Sequence, residues 1–357
     1  MLVIDGSQGE GGGQIVRTCL SLSMITKTPF RLEKIRAGRA KPGLKKQHLT
    51  AIEAAATLSC AQVVGNQLNS RRLTFEPGEA DAEPGNYFFD IGTAGSTTLV
   101  LQTILYELLN QKGQSTLRLK GGTHNPFAPT ADFLISSFIP AVNLFGPEIK
   151  VTVPKYGFYP RGGGELIVEI KPRKGLSPVH FERDRQNKPL VQARILLAHL
   201  PEHIAEREAR VLKEKLRSSI AVEVIQTKNS MSPGNCIHIY ADAGITAQSE
   251  SGENISKAIP PVECFVGLGR KGLSAEEVSE ETSRQCLRYL NSGAAIGEYL
   301  ADQLLLPMAL AGRGSYTTFT PSMHTRTNIE TIEKFLPVRF KTEKIEDDLH
   351  RISVEQN

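Results

Sequence analysis

Apolar and polar positions along the 357-residue chain follow two periods, and their succession recurs. A glycine-rich turn leads into a helical stretch of period 3.6, then a short strand of period two, then a second helical stretch. The first run is GEGGGQIVRTCLSLSMIT, FRLEKIRAG and KKQHLTAIEAAATLS. The second is GTAGSTTLVLQTILYELLN, STLRLKGGT and APTADFLISSFIPAVNLFG, and the third is NSGAAIGEYLADQLLLPMALAG, SYTTFTPSM and HTRTNIETIEKFL. Gly13 and Gly95 lie about 82 residues apart but Gly95 and Gly293 about 198, so the third run arrives about 116 residues late.

The segment from Asp184 to Asn291 accounts for the delay. It opens on the turn-rich FERDRQNKP, continues as strand, helix (HIAEREARVLKEKLRSS), strands and helix, and is long enough to fold as a domain. The pattern predicts an α/β (α+β) chain with core segments 1–184 and 292–357 around an inserted α/β segment 185–291. Chance recurrence of glycine-then-helix segments is the competing explanation of the repeat. Val153 to Pro172, VPKYGFYPRGGGELIVEIKP, predicts a hairpin, and the tail KIEDDLHRISVEQN predicts a closing strand with a frayed end.

Composition narrows the class. With 40% hydrophobic residues, 31 glycines in no fixed period and 5 cysteines, the chain is neither collagen-like, disordered nor a disulfide scaffold. Cys19, Cys60, Cys236, Cys264 and Cys286 form no CxxC pair and are expected as buried free thiols. The start Met1-Leu-Val-Ile-Asp-Gly has no basic leader, and the longest apolar run, Leu304 to Ala311, falls short of the roughly 20 residues that cross a bilayer. A cytoplasmic protein without a membrane partner is the expectation. A net charge of only +4 means that any polyanion site must come from local clustering.

Such clustering occurs at Arg36, Arg39, Lys41, Lys45 and Lys46, followed by Gln47 and His48, at a strand end and helix start. Arginine forks, an amide and an imidazole there suit phosphate or a nucleic-acid end. The run Gly9-Glu10-Gly11-Gly12-Gly13-Gln14 opens a helix whose free amides can hold an anion. Glu10 within it reads either as a ligand of Mg²⁺ or Mn²⁺ bridging to that anion, or as an acid favoured by the helix N-terminus. Arg17 lies one turn further on. No GxxxxGK[ST] occurs. The one GxGxxG, Gly267 to Gly272, precedes a capping box of Ser274 and Glu277 and is read as a helix start rather than a dinucleotide site. His124 and His324 occupy corresponding strand ends of the second and third runs, so both become candidates for a shared cleft, His324 as nucleophile or acid–base group.

Taken together, DGSQGEGGGQIVR, IRAGRAKPGLKKQHLTA, GTAGSTTLVLQT, GGTHNPFAPTADF, GFYPRGGGE, GEYLADQLLLPMALAG and the histidine segment with FLPVRF resemble the RNA 3′-terminal phosphate cyclases, in family order and from end to end. The resemblance implies three repeated βαβαββ-type units as in enolpyruvate transferases, with an inserted smaller α/β domain. It also implies a ligase-type, ATP-dependent reaction. A histidine takes AMP from ATP, AMP passes to an RNA 3′-terminal phosphate, and the 2′-hydroxyl closes a 2′,3′-cyclic phosphodiester. By motif position His324 is the nucleophile and Glu10 the carboxylate for Mg²⁺ or Mn²⁺. Gln102, Pro129, Tyr299, Leu300, Ala301, Asp302 and Gln303 fall at ATP-binding positions, with Pro129 and Tyr299 facing adenine. Arg17, Arg39, Gln47 and His48 match positions for the RNA phosphate. A homodimer is compatible with this reading. Competing readings are a non-catalytic relative in ribosome assembly, an enolpyruvate transferase and a plain RNA-binding module. Arg326, after His324-Thr325, is a departure from the family pattern to which the residues assign no role.

Overall fold

The computed structural model describes residues 1–184, 186–216, 219–255 and 261–357. The expected boundary at residue 185 and the end of the expected helix at 217–218 lie outside the described residues. The first elements are β1 (Leu2–Asp5), α1 (Gln14–Thr26), β2 (Phe30–Glu33), α2 (Lys46–Ser59), β3 (Gln62–Val64) and β4 (Leu73–Glu76). Next come β5 (Asn86–Asp90), α3 (Thr97–Leu109), β6 (Ser115–Gly121), α4 (Ala131–Phe133), a π-helical turn (Leu134–Phe138), α5 (Ile139–Leu144), β7 (Glu148–Lys155) and β8 (Gly164–Lys171). The chain continues as β9 (Val179–Arg183), β10 (Leu190–Ala198), α6 (His203–Leu216), β11 (Ala221–Thr227), β12 (Gly234–Asp242), β13 (Ile245–Gln248), β14 (Glu263–Leu268) and α7 (Ala275–Leu290). It closes with α8 (Glu298–Ala311), β15 (Gly314–Thr318), α9 (Met323–Phe335), β16 (Val338–Glu346) and β17 (Leu349–Gln356).

Among the described residues these strands form four sheets, ordered β1-β2-β4-β3, β5-β6-β8-β7, β13-β9-β15-β17-β16 and β11-β10-β12-β14. In each of the first three, a parallel pair (β1 with β2, β5 with β6, β9 with β15) is extended by an antiparallel pair. Local chemistry explains the elements. In β6, STLRLKG, side chains alternate between core and surface, as a half-buried strand requires. Helix α3 is apolar on nearly every side and correspondingly buried, and its Ser96 cap accepts from the Leu99 amide at 3.2 Å. The π turn has a cause in Pro140. Proline lacks the N–H that the carbonyl four residues back would accept, and the Ile139 amide donates to Leu134, five residues back.

Two strands fell outside the periodic reading. β9 pairs in parallel with β15, so the third sheet takes its first strand from before residue 185. β13, within 185–291, pairs with β9 and joins that same sheet. The tail is not frayed: β17 stays in register with β16 through Gln356, opposite Val338. The hairpin of β7 and β8 forms as expected, and Ser274 caps α7 with Glu277 in reciprocal hydrogen bonds. Four cysteines are buried, but Cys60 is exposed at the left-handed end of α2. No helix among the described residues is long and apolar enough to cross a membrane.

The main core lies where helices cover these sheets, with α1 packed against α2, α3 and α9. Phe30 joins the two ends of the chain there. Its ring stacks on Phe75 at 5.9 Å and meets Phe335 of α9 edge-on at 6.1 Å, fully buried. Phe30→Ala should cost about 3–5 kcal/mol through the cavity it leaves. Urea denaturation checks this, and a midpoint equal to wild type would refute the packing role.

Candidate active site

Five helices begin at one cleft. Gly13 before α1, Lys46 of α2, Ser96 before α3, Glu298 of α8 and Ser322 before α9 all line a space of about 880 Å³. Their N-terminal partial charges and free amides give the cleft a positive character before any side chain is counted.

Side chains strengthen it. Arg17, half-buried on α1, forms no ion pair among the described residues, and burial lowers its pKa to about 10. His48 is buried, and its Nδ1 accepts the Lys45 amide at 2.9 Å, which leaves the ring hydrogen on Nε2. Burial, then Arg17, Arg36 and Lys45, push its pKa down to about 3, so the ring is a neutral donor. Gly13 permits this convergence, since a Cβ there would lie 2.4 Å from His48 Nε2 and 3.3 Å from Arg17 Nη1. Gln47 accepts the Ser96 amide at 3.1 Å.

His324 stands in the first turn of α9, half-exposed in the cleft. Its Nδ1 meets Gln14 Oε1 at 3.1 Å, and Gln14 Nε2 donates to Asp302 Oδ2 at 2.7 Å. Above its raised pKa of about 7 the Asp302 carboxylate can only accept, so it turns the amide with its oxygen toward the imidazole. Nδ1 then carries the proton and Nε2 keeps a free electron pair. Burial, then Arg17 and Arg39, lower the His324 pKa, which keeps the ring neutral near pH 7. Burial pushes the Asp302 carboxyl up to about 7 against the pull of Arg17. Asn328 of α9 ties the helices further, donating to the Asp302 carbonyl at 2.8 Å and accepting from Thr18 at 2.7 Å.

Glu10 lies 3.9 Å from His324 Nε2. Its amide donates to Thr327 Oγ1 at 3.0 Å, and its carboxylate folds over Gly12 into an ion pair with Arg39. Oε2 is buried without a hydrogen-bond partner. Gly9, at φ +57°, is required beside it, because a Cβ would collide with Thr327.

Across the cleft stand Leu99, Gln102, Pro129, Phe133, Tyr299 and Gln303, with Gln102 donating to Gln303. Glu10, Arg17, Arg39, Gln47, His48, Gln102, Pro129, Tyr299, Asp302, Gln303 and His324 thus share one space. Leu300 and Ala301 do not line it; they are buried in the core on the other face of α8. His124 is also absent from the lining. Its Nε2 pairs with Asp132 at 3.0 Å, beside Tyr156 and Phe158. His124, Asp132 and His238 have spacing that a metal ion could use, but Arg194 donates to Asp132 at 3.0 Å and already supplies the positive charge. The periodic reading did not single out Gln14, whose two partners lie 288 and 310 positions away.

A mixed α/β scaffold whose helix N-termini, unpaired guanidinium and neutral imidazole face one cleft defines an enzyme site for an anionic substrate. The family model for RNA 3′-terminal phosphate cyclase matches residues 8–342. A protein from Koribacter versatilis (strain Ellin345) named RNA 3′-terminal phosphate cyclase is 47% identical over 348 residues, covering 97% of this chain and 93% of its own length. The chain belongs to the RNA 3′-terminal phosphate cyclase family.

The Asp302–Gln14–His324 chain fixes a tautomer, which ¹⁵N-histidine NMR reads directly. At pH 7.5 the His324 proton should reside on Nδ1, and Gln14→Ala should abolish the preference. A proton on Nε2 in wild type would overturn the assignment.

Proposed function

We propose that the protein converts an RNA 3′-terminal phosphate to a 2′,3′-cyclic phosphodiester at the expense of ATP, through AMP carried on His324. The observation that supports this most is the His324 ring itself: neutral, with Nδ1 engaged by Gln14 and Nε2 free in a cationic cleft. In the first step the Nε2 pair attacks the α-phosphorus of ATP, and pyrophosphate departs with the bonding electrons. An oxygen of the RNA 3′-phosphate then attacks that phosphorus, returning the electron pair to Nε2. Finally the adjacent 2′-hydroxyl attacks the 3′-phosphorus, AMP leaves, and the hydroxyl proton passes to solvent. Adenylylation is what makes this closure possible, because a phosphate monoester has no good leaving group of its own.

Residue roles follow from position. Pro129 and Tyr299 receive adenine between them, while Gln102, Asp302 and Gln303 hold the nucleoside, with Leu300 and Ala301 anchoring that turn of α8 in the core behind them. Arg17, Arg39, Gln47 and the His48 Nε2–H bind the RNA phosphate, as charge-assisted donors do. Glu10 suits Mg²⁺ or Mn²⁺: it offers one buried, unpartnered oxygen, and such ions take most of their remaining ligands from water and substrate phosphates. When bound, the ion would offset charge on the triphosphate. The three like-ordered sheets are read as three repeats. The fourth sheet with α6 and α7 is read as an inserted domain within 185–291, between core segments 1–184 and 292–357.

Incubation with α-labelled ATP and Mg²⁺ or Mn²⁺ should leave acid-labile, alkali-stable label on the denatured wild-type chain and none on His324→Ala. Arg39→Ala should keep the label but bind a 3′-phosphorylated RNA more weakly, by about tenfold or more. Loss of label in both variants without RNA would defeat that division. The depressed His324 pKa leaves more than half of the rings neutral at pH 6.5. Label formation on the pre-bound complex should therefore persist through pH 6.5 and fall only below it. A fall beginning well above pH 7 would contradict a neutral nucleophile held in this environment.

A further inference from the structure

The fourth sheet has no role in the reaction as described, yet one of its strands lines the cleft. Cys264, Val266 and Leu268 of β14 lie two residues apart, hence on one face of the strand, and all three contribute to the lining. They add an apolar stretch to the cleft that Pro129 and Tyr299 also line.

The same sheet reaches both of those walls through buried polar groups. On the Pro129 side, Thr130 caps α4 by accepting the Phe133 amide at 3.2 Å, and its hydroxyl meets His238 Nε2 of β12 at 3.1 Å. Asp132, two residues on, accepts from Arg194 of β10 at 3.0 Å and from Tyr240 of β12 at 3.2 Å. On the Tyr299 side, the Gly297 amide at the start of α8 donates to Glu263 Oε1 of β14 at 2.6 Å. Gly297 has no room for a side chain, since a Cβ would lie 2.7 Å from Glu263 Oε2. His238 and Glu263 are both almost fully buried. Burying such groups is costly, and the Thr130 and Gly297 contacts offset part of that cost, while His238 Nδ1 has no hydrogen-bond partner among the described residues. An apolar joint would attach the sheet at less cost, but it would not fix the direction of the Thr130 hydroxyl or of the Gly297 N–H.

We infer that the β11-β10-β12-β14 sheet builds the nucleotide half of the site, with β14 as the floor beneath a purine base and His238 and Glu263 as positioning residues that set the spacing of its two walls. The inference rests on the proposed use of ATP. It assigns the RNA half of the cleft to the first sheet and its helices, because Arg17 stands on α1, Gln47 and His48 on α2, and Arg39 in the loop between β2 and α2.

The test separates the two halves in the intact protein. Binding of labelled ATP is measured by equilibrium dialysis, and binding of a 3′-phosphorylated oligoribonucleotide by fluorescence anisotropy. His238→Ala and Glu263→Ala should each weaken ATP about tenfold or more and leave RNA affinity within about twofold. Glu263→Gln should recover ATP binding, since an amide oxygen still accepts the Gly297 N–H. Val266→Phe touches neither hydrogen bond; by filling the floor it should exclude ATP while sparing RNA, which keeps the test open if an alanine variant fails to fold. Unchanged ATP affinity in folded Val266→Phe, or ATP and RNA affinities falling together with melting temperature in all variants, would overturn the inference. Wild-type protein that binds no ATP at all would instead overturn the proposed function.

Discussion

The constraint on which everything else rests is the meeting of five helix N-termini at one cleft. β1 and β2, like β5 and β6, are joined by one helix that must return antiparallel to the strands, so α1 and α3 start beyond the first strands of their sheets, and α8 in the same way runs into β15, the parallel partner of β9. The second helices, α2 and α9, start beyond the next strands at the same edge. Backbone amides therefore accumulate on one side of the molecule. That side attracts anions, and on it burial first and the neighbouring cations second hold His48 and His324 neutral.

Within that field, Gln14 does what a charged residue could not. A carboxylate between Asp302 and His324 would repel the first, and an ammonium would leave the imidazole nothing to donate to. An amide serves both neighbours because one end donates and the other accepts. The buried Asp302 carboxyl is tolerated for the same reason, taking hydrogen from Gln14 while Arg17 lies near. Glu10 answers to a different need. Its negative charge beside Arg39 partly offsets a cleft that otherwise carries an excess of cations.

What could be read in the sequence was local. The glycine run, the basic loop and the helix starting at His324 each announce themselves within about a dozen residues, and the mixed α/β class follows from two alternating periods. Tyr299, Asp302 and Gln303 share one helix face by their spacing of three and four, whereas Leu300 and Ala301 fall on the opposite, buried face. The unread parts depend on distant partners. VHFER is too short to be recognised as the third sheet's first strand when the strand beside it begins at Gly314. His124 sits in a motif as suggestive as that of His324, yet Asp132, Tyr156 and Phe158 enclose it, and no periodicity reports which way a strand-end residue turns.

The split of the third sheet has a consequence for synthesis on the ribosome. β9 emerges long before β15 and β17, the strands that complete its sheet, so it must wait exposed at a sheet edge while more than a hundred residues are made. β13, the next to pair with it, covers one side of that edge early, leaving the other open for the last strands. His324, on the helix that follows β15, is then among the final parts to arrive, so a partly made chain carries its glycine run and basic loop before the imidazole that shares their cleft exists.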